Sequence, residues 1–313
     1  MNITNARRLV LYSALAYCAS RTIAIAETFT PTSARVAELR AKAANGDTKA
    51  ETTLGNLYRT GVAQPLIPKD DMEALKWFRE AGERGDSDAQ VNLGFIYKHG
   101  RGVSIDEIQA VKWYRKAAEQ GNARGELMLS TAYYLGFGGV TQDYSEAEKW
   151  VSKAAEQDDD QAEAALGTIY SRGTGVNKSD SKAVKWWKRS ASHDNVIALT
   201  CLGNAYHNGA GVEKSDAEAV RFWRRSAEKG NGAGQFYLGL AYLNGWGVPD
   251  NAVTAYTWLR LAYQEKDIKT FEKSDIATAI RLYQSKISPQ QKQAADQQID
   301  EQRKKGQPEA GPE

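Results

Sequence analysis

The feature that most constrains this chain is an internal repeat. Leucine recurs six times at intervals of 36 to 39 residues, and tyrosine follows each leucine four residues later. Alanine also stands three residues before tryptophan or phenylalanine, again six times. The columns are Leu54, Leu93, Leu129, Leu166, Leu202, Leu238; Tyr58, Tyr97, Tyr133, Tyr170, Tyr206, Tyr242; Ala74, Ala110, Ala147, Ala183, Ala219, Ala255; and Trp77, Trp113, Trp150, Trp186, Phe222, Trp258. This self-similarity predicts repeats that pack on their neighbours.

The spacings predict two helices in each repeat. Leu and Tyr at i and i+4 share one helix face, as do Ala and Trp at i and i+3. We call the first helix A and the second helix B, and we expect both aromatic columns to lie in the core. Gly or Ser follows each column leucine, although glycine inside a helix costs about 1 kcal/mol relative to alanine. A small residue is therefore predicted to allow close helix approach.

The residues between the helices predict where each helix begins and ends. Gly-x-Gly-Val turns such as Gly100–Val103 provide the positive φ at which helix A stops. Four residues before each column alanine stands a preferred N-cap for helix B. These caps are Asp70, Asp106, Asp143, Ser179, Ser215 and Asn251. Gly85, Gly121 and Gly230 end helix B, and Asp158 and Asp194 take that place in two repeats.

These columns resemble a known family. The run Leu-Gly-x-x-Tyr-x-x-Gly-x-Gly-Val, then a capped Ala-x-x-Trp, Lys-Ala-Ala and Gly is similar to Sel-one-like repeats, a subtype of the tetratricopeptide superfamily. The clearest copy is Leu93 to Gly121, and the resemblance covers residues 48–264. The turns at 61–68 and 136–139 depart from the pattern by an insertion and an extra residue. The resemblance implies an adaptor or scaffold fold and names no partner.

We therefore expect an all-α, right-handed α-solenoid of six helix-turn-helix repeats with helical caps. Residues 27–47 form an N-terminal capping helix, 48–264 the repeats, 265–303 a C-terminal helical cap and 304–313 a disordered tail. In the C-terminal cap, Ile276, Ile280, Tyr283 and Ile287 share one face. Ser288-Pro289-Gln290-Gln291 is a capping box with proline at the first helical position.

Residues 1–26 have the pattern of a secretory signal peptide. Arg7 and Arg8 precede a short apolar run, and Ala24-Ile25-Ala26 offers small residues for cleavage. The run is too short to span a bilayer. We expect a soluble, exported protein, periplasmic or secreted, with no membrane insertion after cleavage. Lipidation of Cys18 and an uncleaved cytosolic leader are the alternatives.

The charge balance excludes one class of partner. Cleavage after Ala26 removes Arg7, Arg8 and Arg21 from the 41 basic residues and none of the 39 acidic residues, which leaves a net charge of −1. Nucleic-acid binders carry a basic excess on one face. We therefore expect no nucleic-acid partner.

Few residues of the chain suggest catalysis. His99 and His207 fall in different repeats, and no nucleophile elbow, P-loop or His-Glu-x-x-His motif occurs. Lone Cys201 precedes a column leucine, which favours a buried thiol. We expect no enzyme activity, no metal and no cofactor. Trp246 lies between two turn glycines, and the sequence leaves open whether it packs locally or forms an exposed contact.

Two ladders on helices A are the candidate binding residues. Repeat arrays of this type bind on a concave groove, so we expect the residue two after each Leu and the residue after each Tyr to face that groove. The ladders are Asn56, Phe95, Thr131, Thr168, Asn204, Leu240 and Arg59, Lys98, Tyr134, Ser171, His207, Leu243, with Phe236 beside the last pair. They run from basic in the first repeats to apolar in the last. The matching partner is a protein or peptide segment with an acidic and an apolar end.

The predicted function is a non-catalytic protein-interaction scaffold or adaptor exported to the bacterial envelope. The alternatives are a binder of cell-wall glycan or peptidoglycan that uses exposed aromatic residues, and a hydrolase-like enzyme. Neither the partner nor the oligomeric state can be read from the sequence.

We predict that the leader is removed near Ala26. N-terminal sequencing and intact-mass measurement of exported protein should give a chain that begins close to residue 27. A chain that still begins at Met1, or one that carries lipid on Cys18, would contradict this.

Overall fold

The structure is a computed structural model, and it describes residues 32–63, 65–265, 276–281, 284 and 287–306. The predicted signal peptide, Tyr283 and the residues after Gly306 lie outside the described residues. Every regular element within these ranges is a helix. The helices are α1 Ser33–Ala44, α2 Thr48–Thr60, α3 Asp71–Glu83, α4 Ser87–His99, α5 Glu107–Glu119, α6 Ala123–Leu135, α7 Tyr144–Glu156, α8 Asp160–Arg172, α9 Asp180–Ser192, α10 Val196–Asn208, α11 Asp216–Glu228, α12 Gly232–Asn244, α13 Ala252–Gln264 and α14 Pro289–Gly306.

The predicted solenoid class is confirmed. Helices α2 to α13 form six consecutive A–B pairs, numbered here as repeats 1 to 6, and each helix has 13 residues. The described residues divide into two compact units. The N-terminal unit contains residues 32–166 and 174–177, and the C-terminal unit contains 167–173 and the described part of 178–306.

The predicted caps of helices B are confirmed in all six repeats. Each of the six side chains accepts a hydrogen bond from a backbone N–H in the first turn of its helix. The N–H of the same residue donates to the carbonyl of the column tyrosine, as in Asp106 to Tyr97 at 2.9 Å. The cap therefore ties the end of helix A to the start of helix B within each repeat.

The predicted glycine turns are also confirmed. Gly100 ends α4 in the left-handed region with φ 65°, where glycine has no Cβ penalty. A Cβ on Gly102 would lie 2.9 Å from the carbonyl oxygen of Asp71, so the second glycine lets the turn sit on helix B of the preceding repeat. Asp158 and Asp194 adopt positive φ of 64° and 61°, as their place at the end of helix B predicts.

The core of each repeat is built on the small residue of helix A. A Cβ on Gly55 would lie 2.7 Å from the ring of Phe78, and one on Gly167 would lie 2.5 Å from the ring of Trp187. Phe78 and Trp187 each follow a column tryptophan, and Phe78 is fully buried. The predicted close helix approach is therefore real, and a second large side chain of helix B fills the space.

This packing corrects the prediction that all the column aromatics are core residues. The column tyrosines are only half-buried, and so are the first four column tryptophans. A helix completes a turn every 3.6 residues, so the i+4 residue after the column alanine faces helix A more directly than the i+3 tryptophan. The tryptophans lie at the margin instead, where Lys116 Nζ stands 4.1 Å from the ring of Trp113 and Lys153 Nζ stands 4.1 Å from that of Trp150.

The tyrosine hydroxyls link consecutive repeats. Arg79 of α3 donates to the hydroxyl of Tyr97 in α4 at 3.1 Å, and Arg115 of α5 donates to that of Tyr133 in α6 at 2.8 Å. An equivalent bond joins Arg224 and Tyr242 in the C-terminal unit at 2.8 Å. The hydroxyl needs a polar partner, which explains why the tyrosines lie at the border of the core.

Helical residues follow the last repeat. Ile276, Ile280 and Ile287 are buried in one core with Ile299 of α14. The predicted capping box is confirmed, because Ser288 N donates to Gln291 Oε1 at 2.7 Å and Gln291 N donates to Ser288 Oγ at 3.2 Å. Helix α14 ends at Gly306, three residues beyond the predicted limit of the cap.

Adjacent tryptophans in repeat 4 test this account of the core. Trp187 is 7% exposed and covers Gly167, whereas Trp186 is a half-buried column residue. We predict that Trp187→Ala lowers the free energy of unfolding by about 3–5 kcal/mol through cavity formation. Trp186→Ala should cost less than half as much. If urea denaturation gives the same loss of unfolding free energy for the two variants, the column tryptophan contributes as much to the core as its neighbour, which would contradict this account.

Candidate binding site

The two predicted ladders lie on helices A, and none of their members is exposed. Arg59, Thr131, Thr168 and Phe236 are buried. The other nine, which are half-buried, are Asn56, Phe95, Lys98, Tyr134, Ser171, Asn204, His207, Leu240 and Leu243. Their assignment to a binding groove remains a prediction, so the contacts of each side chain decide what it can offer to a partner.

In repeat 1 the ladder is dominated by a buried arginine. Arg59 is 8% exposed, and its Nη2 donates to Oδ1 of Asn56 at 3.1 Å. The pKa of Arg59 is lowered to about 10, chiefly by burial and secondarily by the charges of Arg124 and Arg101. Asp71 acts in the opposite direction. Three arginines from repeats 1, 2 and 3 therefore lie close enough for their charges to interact.

In repeat 2 two cations lie against aromatic rings. Lys98 Nζ stands 4.4 Å from the ring centre of Phe137, and the guanidinium of Arg101 stands 5.3 Å from that of Phe95. Such cation–π contacts hold a charged group in place while leaving other directions open to a ligand. Burial lowers the pKa of His99, and the charges of Lys98 and Arg101 add to that effect. His99 is therefore mainly neutral at neutral pH.

We call Arg59, Lys98, Arg101 and Arg124 the basic cluster. Arg59 and Lys98 are ladder residues, whereas the sequence reasoning missed the other two. Arg101 occupies the variable position of the Gly-x-Gly turn, and Arg124 is the second residue of α6. A basic residue in a turn that is otherwise constant is the signal that could have identified Arg101.

Several other ladder residues are engaged in contacts with neighbouring side chains or with their own helix. The hydroxyl of Thr131 donates to the carbonyl of Leu127 at 2.9 Å. The ring of Tyr134 packs on Tyr144 at 5.2 Å. In the C-terminal unit Thr168 lies beside the buried Cys201, whose pKa is raised to about 12 by burial. The prediction of a buried thiol at Cys201 is confirmed.

The ladder in repeats 5 and 6 belongs to an aromatic core. Asn204 Oδ1 accepts from Trp223 Nε1 at 3.0 Å, and His207 Nδ1 lies 2.6 Å from Asp216 Oδ1. The ring of Trp246 packs on His207 at 4.4 Å, which settles the open question in favour of local packing.

Beside these residues, Leu240 packs on the core that contains Phe236. Phe236 and Leu240, two of the three apolar residues at this end of the ladder, are therefore occupied by internal contacts. The charged groups of the ladder therefore lie at its other end, where Arg59 and Lys98 belong to the basic cluster.

Two further features concern the part of the chain that the structure describes. Within it, no group of His, Cys, Asp and Glu side chains has the arrangement of a metal site. No helix among these residues is long and apolar enough to cross a membrane.

Comparison with known proteins identifies the repeat. Six Sel1 repeats match the chain, at residues 48–86, 87–122, 123–159, 160–195, 197–231 and 232–267. The chain belongs to the Sel1 repeat family. Sel1 repeat proteins are generally protein-interaction scaffolds. No protein of curated function matches at a significant level.

Two solved structures place the chain among Sel1 repeat proteins. A protective antigen of uropathogenic Escherichia coli strains, with a Sel1-like repeat fold, is 30% identical with a TM-score of 0.78. The match covers 99% of this chain but only 62% of that protein. A Sel1 repeat protein from Oxalobacter formigenes is 32% identical with a TM-score of 0.66, covering 72% of this chain and 88% of that one.

The convergence of positive charge in the basic cluster predicts a salt effect on stability. Arg101→Gln removes a like charge beside the buried guanidinium of Arg59 and also the cation–π contact with Phe95, so the salt dependence is the informative quantity: the melting temperature of the variant relative to the wild type should be higher at low salt than at high salt by roughly 1–3 °C. High salt screens the same repulsion and should reduce the difference. Lys185→Gln, an exposed lysine of α9, is the matched control. A relative melting temperature of Arg101→Gln that does not fall between low and high salt would contradict this picture of the cluster.

Proposed function

We propose that this Sel1 repeat protein is a non-catalytic scaffold or adaptor, exported to the bacterial envelope, that binds an acidic segment of another protein. Membership of the family supports the role of scaffold. The leader pattern of residues 1–26 supports export to the periplasm or beyond the cell.

The observation that carries the proposal is the basic cluster. Its members come from three consecutive repeats and include a guanidinium that burial and its neighbours disfavour. Two unit charges about 4 Å apart interact by roughly 1 kcal/mol in water and by about 4 kcal/mol near a protein surface. A carboxylate placed among these cations gains that attraction and relieves their mutual repulsion. Acidic side chains of a partner are therefore the groups that the cluster fits best.

The repeat frame supports binding rather than catalysis. The charged groups of the cluster come from helix A, from its turn and from the next repeat, and cation–π contacts hold Lys98 and Arg101. His207, which pairs with Asp216, packs against Trp246. These contacts stabilise the repeats, and they supply a charged surface at fixed positions.

Affinity capture from an envelope fraction tests this function. Mature wild-type chain should retain a protein in stoichiometric amount, and Lys98→Glu with Arg101→Glu should reduce its retention by tenfold or more. Lys185→Glu with Lys188→Glu reverses the same number of charges on exposed positions of α9 and should change retention little. Arg59 is left intact, because a reversed charge at this buried position would destabilise the fold.

Melting curves of both double variants establish that each is folded. Equal retention by the cluster variant and the wild type would contradict the proposed site. Retention of purified wall material in the absence of any protein would instead favour a glycan binder.

A further inference from the structure

One buried position of helix A carries an acid in some repeats and the corresponding amide in others. It lies three residues before the column leucine, and its side chain is buried in all six repeats. We call it the bridging position, because in repeat 2 its side chain bonds two neighbouring helices. Its members are Glu51, Gln90, Glu126, Glu163, Leu199 and Gln235. Glutamine and protonated glutamic acid have nearly the same shape, so the contacts of the amide show what the acid needs.

Repeat 2 shows which bonds the bridging position makes. Nε2 of Gln90 donates at 3.0 Å to the carbonyl of Gly82, in the last turn of α3. Oε1 of Gln90 accepts at 2.7 Å from Nε2 of Gln120, the residue after α5. In repeat 6 the equivalent donor bond, from Gln235 to the carbonyl of Ala227, is longer at 3.5 Å. The position therefore supplies a donor to the preceding helix B and an acceptor to its own.

Repeat 3 places an acid in the same surroundings. Glu126 is 3% exposed, and its Oε2 accepts at 2.8 Å from Nε2 of Gln157, the residue after α7. Eight residues before Glu126, as Gly82 stands before Gln90, is Ala118 in the last turn of α5. The carbonyl of Ala118 accepts the N–H of Gly121 at 3.0 Å, so the end of α5 has the backbone arrangement that α3 has.

The two protonation states of Glu126 suit these surroundings differently. An ionised carboxylate only accepts hydrogen bonds, so it has nothing to donate to the carbonyl of Ala118. The protonated carboxyl has one O–H and one carbonyl oxygen, which reproduce the donor and the acceptor of Gln90. Burial raises the pKa of Glu126, and Glu156 acts in the same direction. Lys153 and the bond from Gln157 oppose this rise without cancelling it.

The neighbouring charges leave the protonated form accessible. The charged groups on the elements around Glu126 are Lys153 and Glu156 on α7, Lys116 and Glu119 in the last turn of α5, Asp88 on α4, and Arg124 on α6 itself. Lys153 is exposed, and its Nζ lies 4.1 Å from the ring centre of Trp150. Asp88 accepts a bond from Asn122 at 2.8 Å. Arg124 precedes Glu126 by two residues and therefore lies on another side of the helix.

Repeat 1 shows how the fold accommodates an ionised acid at the bridging position. Arg84 stands after α3 where Gln157 stands after α7, and its guanidinium pairs with Oε1 of Glu51. A cationic donor stabilises the ionised carboxylate. Burial raises the pKa of Glu51, and Arg84 opposes that rise. In repeat 3 the corresponding residue is a neutral glutamine, which suits a protonated acid equally well.

We propose that Glu126 takes up a proton on acidification and with it bonds the end of α5, so that the junction between repeats 2 and 3 is more stable in acid than in alkaline solution. The inference goes beyond the proposed function and does not rest on it. The stability that the proton adds is fully present below about pH 4.3, the ordinary pKa of glutamate. It is lost as the pH rises through the higher pKa of folded Glu126.

Glu126→Gln tests the proposal because glutamine supplies the donor at every pH. Its melting temperature should exceed that of the wild type by roughly 2–4 °C at about pH 8 and by less than about 1 °C at about pH 4. Glu119→Gln removes an exposed acid of α5 and should melt like the wild type at both pH values. Hydrogen exchange at about pH 8 should be slower in α5 and α6 of Glu126→Gln than in the wild type, with α11 and α12 unchanged.

The reverse substitution installs the acid in repeat 2. Gln90→Glu should lower the melting temperature by roughly 2–4 °C at about pH 8 and by much less at about pH 4. In the wild type, carbon NMR of labelled glutamate carboxyls follows the proton itself. The signal that Glu126→Gln removes should titrate at a higher pH than the signal that Glu119→Gln removes.

Three results would overturn the proposal. The first is a difference in melting temperature between Glu126→Gln and the wild type that is the same at both pH values. The second is a Glu126 carboxyl that titrates at the same pH as that of Glu119. The third is a Gln90→Glu variant whose loss of stability does not depend on pH.

Discussion

The structure depends on one contact inside each repeat, between a small residue of helix A and a large side chain of helix B. In repeat 5 a Cβ on Gly203 would overlap the ring of Trp223, which is fully buried. In repeat 3 a different pair of residues lies at the contact between the two helices. Ser130 replaces the glycine and donates to the carbonyl of Ala147 at 2.6 Å, and the facing position is the smaller Val151. The two positions change together because their combined volume fixes the distance between the helices.

The fixed helix distance explains why caps and turns could be predicted from the sequence. Once the two helices lie at a set separation, the connection must leave helix A with positive φ and enter helix B with a capped N-terminus. Gly100 and Asp106 satisfy those demands by residue type alone. Such local requirements appear in every repeat, so their positions are readable without coordinates.

What could not be predicted depends on contacts between residues far apart in the sequence. From the sequence alone, either the column tryptophan or the residue after it could face helix A. Only the structure shows that Trp187 is more deeply buried than Trp186. The ladder residues are predicted from the sequence to face a groove, and only the structure shows that Thr131 is buried and that its hydroxyl donates to Leu127 of its own helix. Arg124 joins the basic cluster from the next repeat, at a position with no repeated pattern.

The molecule thus consists of repeats with the same helix pair, and at certain positions the residue type varies from one repeat to the next. Function is expected where a position is free to vary and its side chain is not needed for packing, as at Ser104, an exposed residue in the turn that carries Arg101, and at its counterpart Glu213 in repeat 5. A photoreactive amino acid placed at each of these two positions in living cells tests the central claim most directly. The account predicts a covalent adduct with a protein from position 104, beside the basic cluster, and little or none from position 213. Equal adducts from both positions, or an adduct from position 213 alone, would contradict it.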